Sequence, residues 1–585
     1  MRLRARGVWA SAVAACMHAM PLRGGLKSDL RGAGRSVDCD GSSNTARLCI
    51  DVGGTGTARA GAESRSYRDT RLVRALVAAL ACGVLTVANA AERVAEPIEN
   101  DVPLVIAVRD KDAAAARTLL AATPRVDTNQ HTADGTTALH WAVYHNDADL
   151  VARLLAAGAN PNAKNDYGAT PMSEAAVVGN AQVLKDLLAH KADIESPNAD
   201  GQTTLMILAR TSNVDAAKLL ISHGAAINAR EQWRGQTPLM WAAAEAQPAM
   251  VRLLLKHKAD PNARSTVNEW TRQVTSEPRM QARPSGGFTP LLYAARKGCA
   301  DCALALLDAG ADKDLPDPDG VTPLLEATLN FNFDVAAFLV QKGALVNKWD
   351  WWGRSPLYAA VDLNTLPAGG RADRPSLDKT TGLQLIGMLL DADANPNLQL
   401  KLFPPYRSLR DDRGADQLLG IGTTPLVRAA KAGDIPVMKL LLAHGAKVDL
   451  PTDNGITALM AAAGNGSISI DTRGRYKTEA QALEAAELLI AAGATVNARD
   501  RGGQTALHGA ASWGWNGVVK SLAANHIDLL AKDAQGRTAA DVAKGAAGSS
   551  GRAASIPHPE TEALLRKLMA EGGVPPVASA PTPTN

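Results

Sequence analysis

The chain has 585 residues, enough for several ordinary globular domains, yet only 5 Phe and 7 Tyr with which to fill deep hydrophobic interiors. Its formal charge of +3 belongs to its start: 13 of the 62 basic and 6 of the 59 acidic residues lie in positions 1–90, leaving 49 basic against 53 acidic beyond them. A near-neutral body without a basic stripe argues against nucleic acid as the partner.

Residues 1–64 are rich in Arg, Gly and Ser and lack hydrophobic periodicity, so they read as a mis-assigned start or a disordered leader. Residues 65–90 read as a secretory signal peptide. Arg65, Arg68, Arg71 and Arg74 form a basic n-region, 75–88 an apolar h-region, and Ala88-Asn89-Ala90 a cleavage site before Ala91. The apolar run is shorter than the ~20 residues that cross a bilayer, so no stable membrane span is expected. Cys82 sits in a poor lipobox. A signal peptide belongs at a true N-terminus, and no Met lies between Met20 and Met172, so the expected start is a non-Met codon near Leu72 or Val73. The mature chain is expected in the periplasm or outside the cell.

From residue 91 the pattern changes. Pro103-Leu104 and 113–120 suggest a degenerate capping unit over 91–133, after which a module recurs, first as 134–165, DGTTALHWAVYHNDADLVARLLAAGANPNAKN. Thr137-Ala138-Leu139-His140 opens a first helix, and Leu150, Val151, Leu154 and Leu155 put a helical stripe on a second. Gly158 stops that helix in the left-handed conformation, which a residue without a Cβ adopts freely. The polar stretch 160–165 is too short for a helix and reads as a hairpin.

The tetrad's Thr recurs at Thr137, Thr170, Thr203, Thr237, Thr289, Thr322, Ser355, Thr424, Thr457, Thr505 and Thr538, mostly in steps of 33 or 34 residues. The pattern Asp-Gly-x-Thr-Pro-Leu-His-x-Ala-Ala…Leu-Leu-x-x-Gly-Ala-x-x-Asn resembles the ankyrin repeat, over roughly four fifths of the chain. The resemblance implies an all-α solenoid of stacked helix-turn-helix units with short inter-repeat β-hairpins. It would comprise about a dozen helical pairs with its caps and grow as one domain without a central core. It also implies a non-catalytic scaffold that binds another protein.

Within the array, 134–532, each Thr is expected to cap its helix, and Pro at 171, 238, 290, 323, 356 and 425 suits the first helical turn. His140 and His508 are expected to bond the neighbouring tetrad. Lys191, Lys258, Asp393 and His526 stand where Gly158, Gly224, Gly310, Gly343, Gly445 and Gly493 end their helices, forcing a Cβ into the left-handed region. Insertions at 265–286 and 398–420 interrupt hairpins, and those at 363–379 and 467–479 separate the helices of a pair; such stretches are functional or disordered. Phe403-Pro404-Pro405-Tyr406-Arg407 is the best candidate among them for an ordered contact. Residues 533–570 read as a C-terminal cap and 571–585, rich in Pro and Ala, as a disordered tail.

Beyond the signal peptide only Cys299 and Cys302 remain, in a C-x-x-C spacing used by redox, zinc and haem sites. No second pair exists, Cys302 is followed by Ala303 and not His, and the context is a helical pair, so a buried apolar thiol or a disulfide is expected. The alternative, a redox-enzyme accessory exchanging thiols through this pair, requires accessible sulfurs. Gly-x-Ser-x-Gly, His-Glu-x-x-His and Gly-Lys-Ser/Thr are all missing, so no enzyme activity, cofactor or metal is expected.

In the ankyrin family the first helices and the hairpin tips line the concave binding surface. The position after the tetrad carries Trp141, Glu174, Trp241, Tyr293, Glu326 and Arg428, and the tips carry Trp233, Trp349, Trp351 and Trp352. Exposed aromatic clusters mark interfaces, whereas the alternative for each is packing between repeats. The expected partner is a protein of unidentified kind held by a monomeric chain, within the periplasm or, for a secreted effector, on a host.

Overall fold

A computed structural model describes residues 102–124, 126–274, 281–365, 378–402, 420–466, 477–545 and 556–571. The expected leader and signal peptide, the segment 403–407, most of the insertions at 363–379, 398–420 and 467–479, and the tail beyond 571 lie outside them. The described residues form 24 helices and one two-stranded sheet. The fold is an ankyrin-type solenoid of paired helices, from Pro103–Arg109 and Ala113–Ala121 to Ala539–Lys544 and Pro559–Glu571.

Local chemistry starts each pair. Thr137, Thr170 and Thr289 accept the N–H three residues on, from His140, Ser173 and Leu292. Proline occupies the first helical position at 171, 238, 290, 323, 356 and 425, where a missing donor leaves no bond unmade. Thr203 departs from this: its side chain makes no cap bond, and its hydroxyl and that of Thr204 are buried without a partner among the described residues. The second helices bury stripes such as Leu150, Val151, Leu154 and Leu155. Fully buried alanines, among them Ala142, Ala175, Ala176, Ala242 and Ala243, let successive first helices approach closely.

Side chains then tie repeat to repeat. The His140 Nδ1 accepts the Thr137 N–H, and its Nε2 donates to the Ala169 carbonyl before the next tetrad at 3.2 Å. His508 does the same with Thr505 and Arg537. Burial lowers both pKa values, in keeping with neutral rings that donate on one side and accept on the other. At the other end of each pair, Lys191, Lys258, Asp393 and His526 take φ of +66°, +65°, +62° and +61°.

A ladder of asparagines, legible in sequence only as a motif letter, runs along the same edge. Asn129, Asn162, Asn228, Asn262, Asn347, Asn397 and Asn497 each donate to the carbonyl of the next left-handed residue, and each accepts the N–H two positions beyond it.

The insertion at 265–286 is a β-hairpin: β1, Val267–Val274, pairs antiparallel with β2, Gln281–Gly286. The Thr266 N–H anchors it to the Arg234 carbonyl at 2.6 Å. Among the other described links tight turns recur, as where the Asn165 N–H donates to Ala169 O at 3.1 Å and the Gly168 N–H to Asn165 O at 2.9 Å. Among the described residues no helix is long and apolar enough to cross a membrane.

Candidate functional site

The turns between repeats are held from within. Asn165, Asn198, Asp317, Asp350 and Asp533 each accept backbone N–H groups two and four residues ahead. Neighbouring turns are also bonded to each other: the Asp166 N–H donates to Asp134 O at 2.8 Å, Trp351 to Asp319 O at 2.7 Å and Lys401 to Trp352 O at 2.9 Å. The tips therefore form a fixed row. On it Trp233 is 69 % exposed, Trp351 49 % and Trp349 45 %. The Lys401 ammonium lies 4.2 Å from the centre of the Trp349 ring. Both residues line an open cleft of about 640 Å³ shared with Gln399, Ile421, Thr452 and Asp453.

Trp352 does not join them. Only 2 % of it is exposed, because the residue before Gly353 turns back toward the array, while Lys401 and Leu402 donate to its carbonyl. The Arg354 guanidinium, itself paired with Asp350 at 2.6 Å, stands 5.2 Å from its ring centre. The indole is inter-repeat packing.

On the first helices the row at the position after the tetrad splits. Trp141 and Trp241 are half-buried, and their indole nitrogens are buried without a hydrogen-bond partner among the described residues. Trp141 meets Tyr144 edge-on at 5.7 Å and stacks on His145 at 5.8 Å. Tyr293 meets Phe288 edge-on at 5.3 Å, and the Gln236 amide donates to its hydroxyl at 2.6 Å. Glu174 is half-buried, and burial raises its pKa.

Glu326 and Arg428, also expected on the binding face, are buried in the array. The cause is a diagonal contact between repeats: the residue seven after one tetrad's Thr reaches the residue four after the next. Along that diagonal Arg296 donates to Glu326 at 2.7 Å, Asp362 pairs with Arg428, and the Arg210 guanidinium stands 4.9 Å from the Trp241 ring centre. Glu326 and Arg428, neutralised in this way, belong to the wall of the array and not to its surface. The sequence reading also missed Tyr144 and Val177, both exposed, three residues beyond Trp141 and Glu174 on the same helices. The i,i+3 spacing that joins them was present in the sequence.

Cys299 and Cys302 are joined by a disulfide. Cys299 is the N-cap of helix Ala300–Asp308, its sulfur accepting the Cys302 N–H at 3.2 Å, and both residues are buried. Among the described residues no three His, Cys, Asp or Glu side chains are placed to hold a metal ion.

The family model for ankyrin repeats in groups of three matches residues 104–198, 172–265, 291–368 and 384–470, and the single-repeat model matches 454–501. The chain belongs to the ankyrin-repeat family. It is similar to ankyrin repeat and SOCS box protein 16 of Homo sapiens, at 30 % identity over 49 % of this chain and 52 % of that protein. It is also similar to a Danio rerio protein named as a palmitoyltransferase, ZDHHC13, at 30 % identity over 29 % of this chain and 21 % of that protein. The chain thus spans between about a fifth and a half of these curated relatives. Among solved structures, the ankyrin repeat domain of Bcl-3 shares 29 % identity at a TM-score of 0.32, over 39 % of this chain and 94 % of that one. Ankyrin-repeat domains are generally non-enzymatic scaffolds for protein–protein interaction.

Proposed function

We propose that this ankyrin array holds a protein partner by equilibrium binding, across its first-helix face and its tip row, with no bond made or broken. The observation that carries the reading is the exposure of Trp233, Trp349 and Trp351 on turns fixed by hydrogen bonds within and between repeats. A turn already fixed in the free protein loses little backbone entropy on binding, and tryptophan is enriched among the residues that dominate interface energy. Presentation of Trp141, Tyr144 and Val177 on the first helices extends the surface.

The signal-like segment 65–90 supports export, to the periplasm or, for an effector that engages a host protein, beyond it. A bacterial source fits that reading. The disulfide suits an oxidising compartment. Burial of both sulfurs works against the alternative of a thiol-exchanging redox accessory. Affinity capture from the extracytoplasmic fraction, with wild-type chain and Trp351→Ala in parallel, tests the proposal: the same protein should be retained by the first and lost by the second.

A further inference from the structure

The diagonal that neutralises buried charge elsewhere in the array stops short at Glu174. The position that Arg296 fills for Glu326, seven residues after the preceding tetrad's Thr, is occupied here by Tyr144, which is exposed. The Glu174 carboxylate consequently has no hydrogen-bond or ion partner among the described residues, although it is half-buried. The matching positions on the adjoining repeats carry Trp141 and Ile207, and Tyr144 and Val177 stand seven residues after the Thr of their tetrads. A desolvated carboxylate with no partner is unfavourable, and a cation delivered between aromatic rings and a carboxylate relieves that and gains a cation–π contact.

The array shows what such a cation looks like, since Arg210 lies over Trp241 and Arg296 bonds Glu326 along the same diagonal. On the reading that the first-helix face receives a protein partner, we infer that its occupant is a segment carrying a lysine or arginine flanked by apolar residues. The cation pairs with Glu174 over the Tyr144 ring, and the apolar neighbours cover Trp141 and Val177. Glu174 thereby selects for basic partners.

Selection from a random dodecapeptide display library on the full chain tests this. Enriched peptides should share a Lys or Arg beside an apolar residue. Replacing that residue by norleucine, or Glu174 by Gln, should weaken binding at least tenfold, and Glu174→Gln should leave the thermal midpoint of the free chain no lower than wild type. Tyr144→Arg, which completes the diagonal from within, should abolish the basic preference while the chain stays folded. Enriched peptides without a common basic residue, or an affinity indifferent to Glu174→Gln, would overturn the inference. If such peptides are still lost on Trp141→Ala, the concave-face reading survives without it; if no peptide is enriched, both fall.

Discussion

The Asn162 carboxamide donates to the Lys191 carbonyl of the next repeat at 3.1 Å and accepts the Asp193 N–H at 2.7 Å. One side chain thus satisfies a carbonyl and an N–H at a helix end that has run out of partners of its own. The clamp holds Lys191 at φ +66°, a conformation disfavoured by its Cβ.

Replacing the strained lysines should stabilise the array. Lys191→Gly and Lys258→Gly keep the backbone groups that the asparagines bind and remove the Cβ penalty, less what glycine adds to the unfolded chain's entropy. The expected net gain is about 0.5–1 kcal/mol for each. A thermal midpoint that falls in both variants would contradict this placement.

The ladder has three acidic rungs. Glu195, Asp314 and Asp449 accept the N–H groups of Ala226, Leu345 and Thr495, but a carboxylate has no proton for a carbonyl. Asp314→Asn should add a bond to the Gly343 carbonyl and raise stability by about 1 kcal/mol, and Asn162→Asp should lose as much. Chemical denaturation of both variants measures the pair of opposite shifts.

Asp317 gives the array a pH dependence. Burial raises its pKa from 3.8 to about 7 against the pull of the Val321 and Asp319 N–H groups, and the Asp319 and Glu326 charges add to the rise. The folded chain therefore binds this proton more tightly than the unfolded one. Its contribution to stability is full below about pH 4, is lost as pH rises toward 7, and is level above that. The Asp350 and Asp533 turns each place an arginine four residues on, where the Asp317 turn has Val321. Asp317→Asn keeps the acceptor, as Asn165 and Asn198 do, and should exceed wild type in thermal midpoint at pH 8 but not at pH 4. Parallel curves at the two pH values would exclude Asp317 as the source.

The helices were legible because their causes are local. A Thr cap, a proline in the first turn, a 3.6-residue stripe and a terminal glycine all lie within one 33-residue unit, so eleven tetrads predict eleven pairs. The partners that decide burial lie outside it. Arg296 is 30 residues from Glu326 and Asp362 is 66 from Arg428, and nothing in either short window shows that the two will meet. Trp352 misled for a related reason. Adjacent residues of a tight turn face opposite ways, so Trp351 reaches solvent while Trp352 enters the array.

Arg428 and Trp352 should accordingly behave as structural residues. Arg428→Leu removes the partner of the part-exposed Asp362 carboxylate and should cost about 1–3 kcal/mol, and Trp352→Ala empties a buried site and should cost about 3–5 kcal/mol. Lower thermal midpoints are expected from both, and loss of partner binding without such a fall would return them to the binding face.

The central claim is that the tip row binds through tryptophans carried on turns fixed before the partner arrives. Its most direct measurement is the affinity of a captured partner for wild-type chain, Trp351→Ala and Trp349→Ala, beside each protein's thermal midpoint. We predict affinity lower by tenfold or more for both variants with midpoints unchanged. Unchanged affinity, or a loss that only tracks a fall in midpoint, would contradict the account.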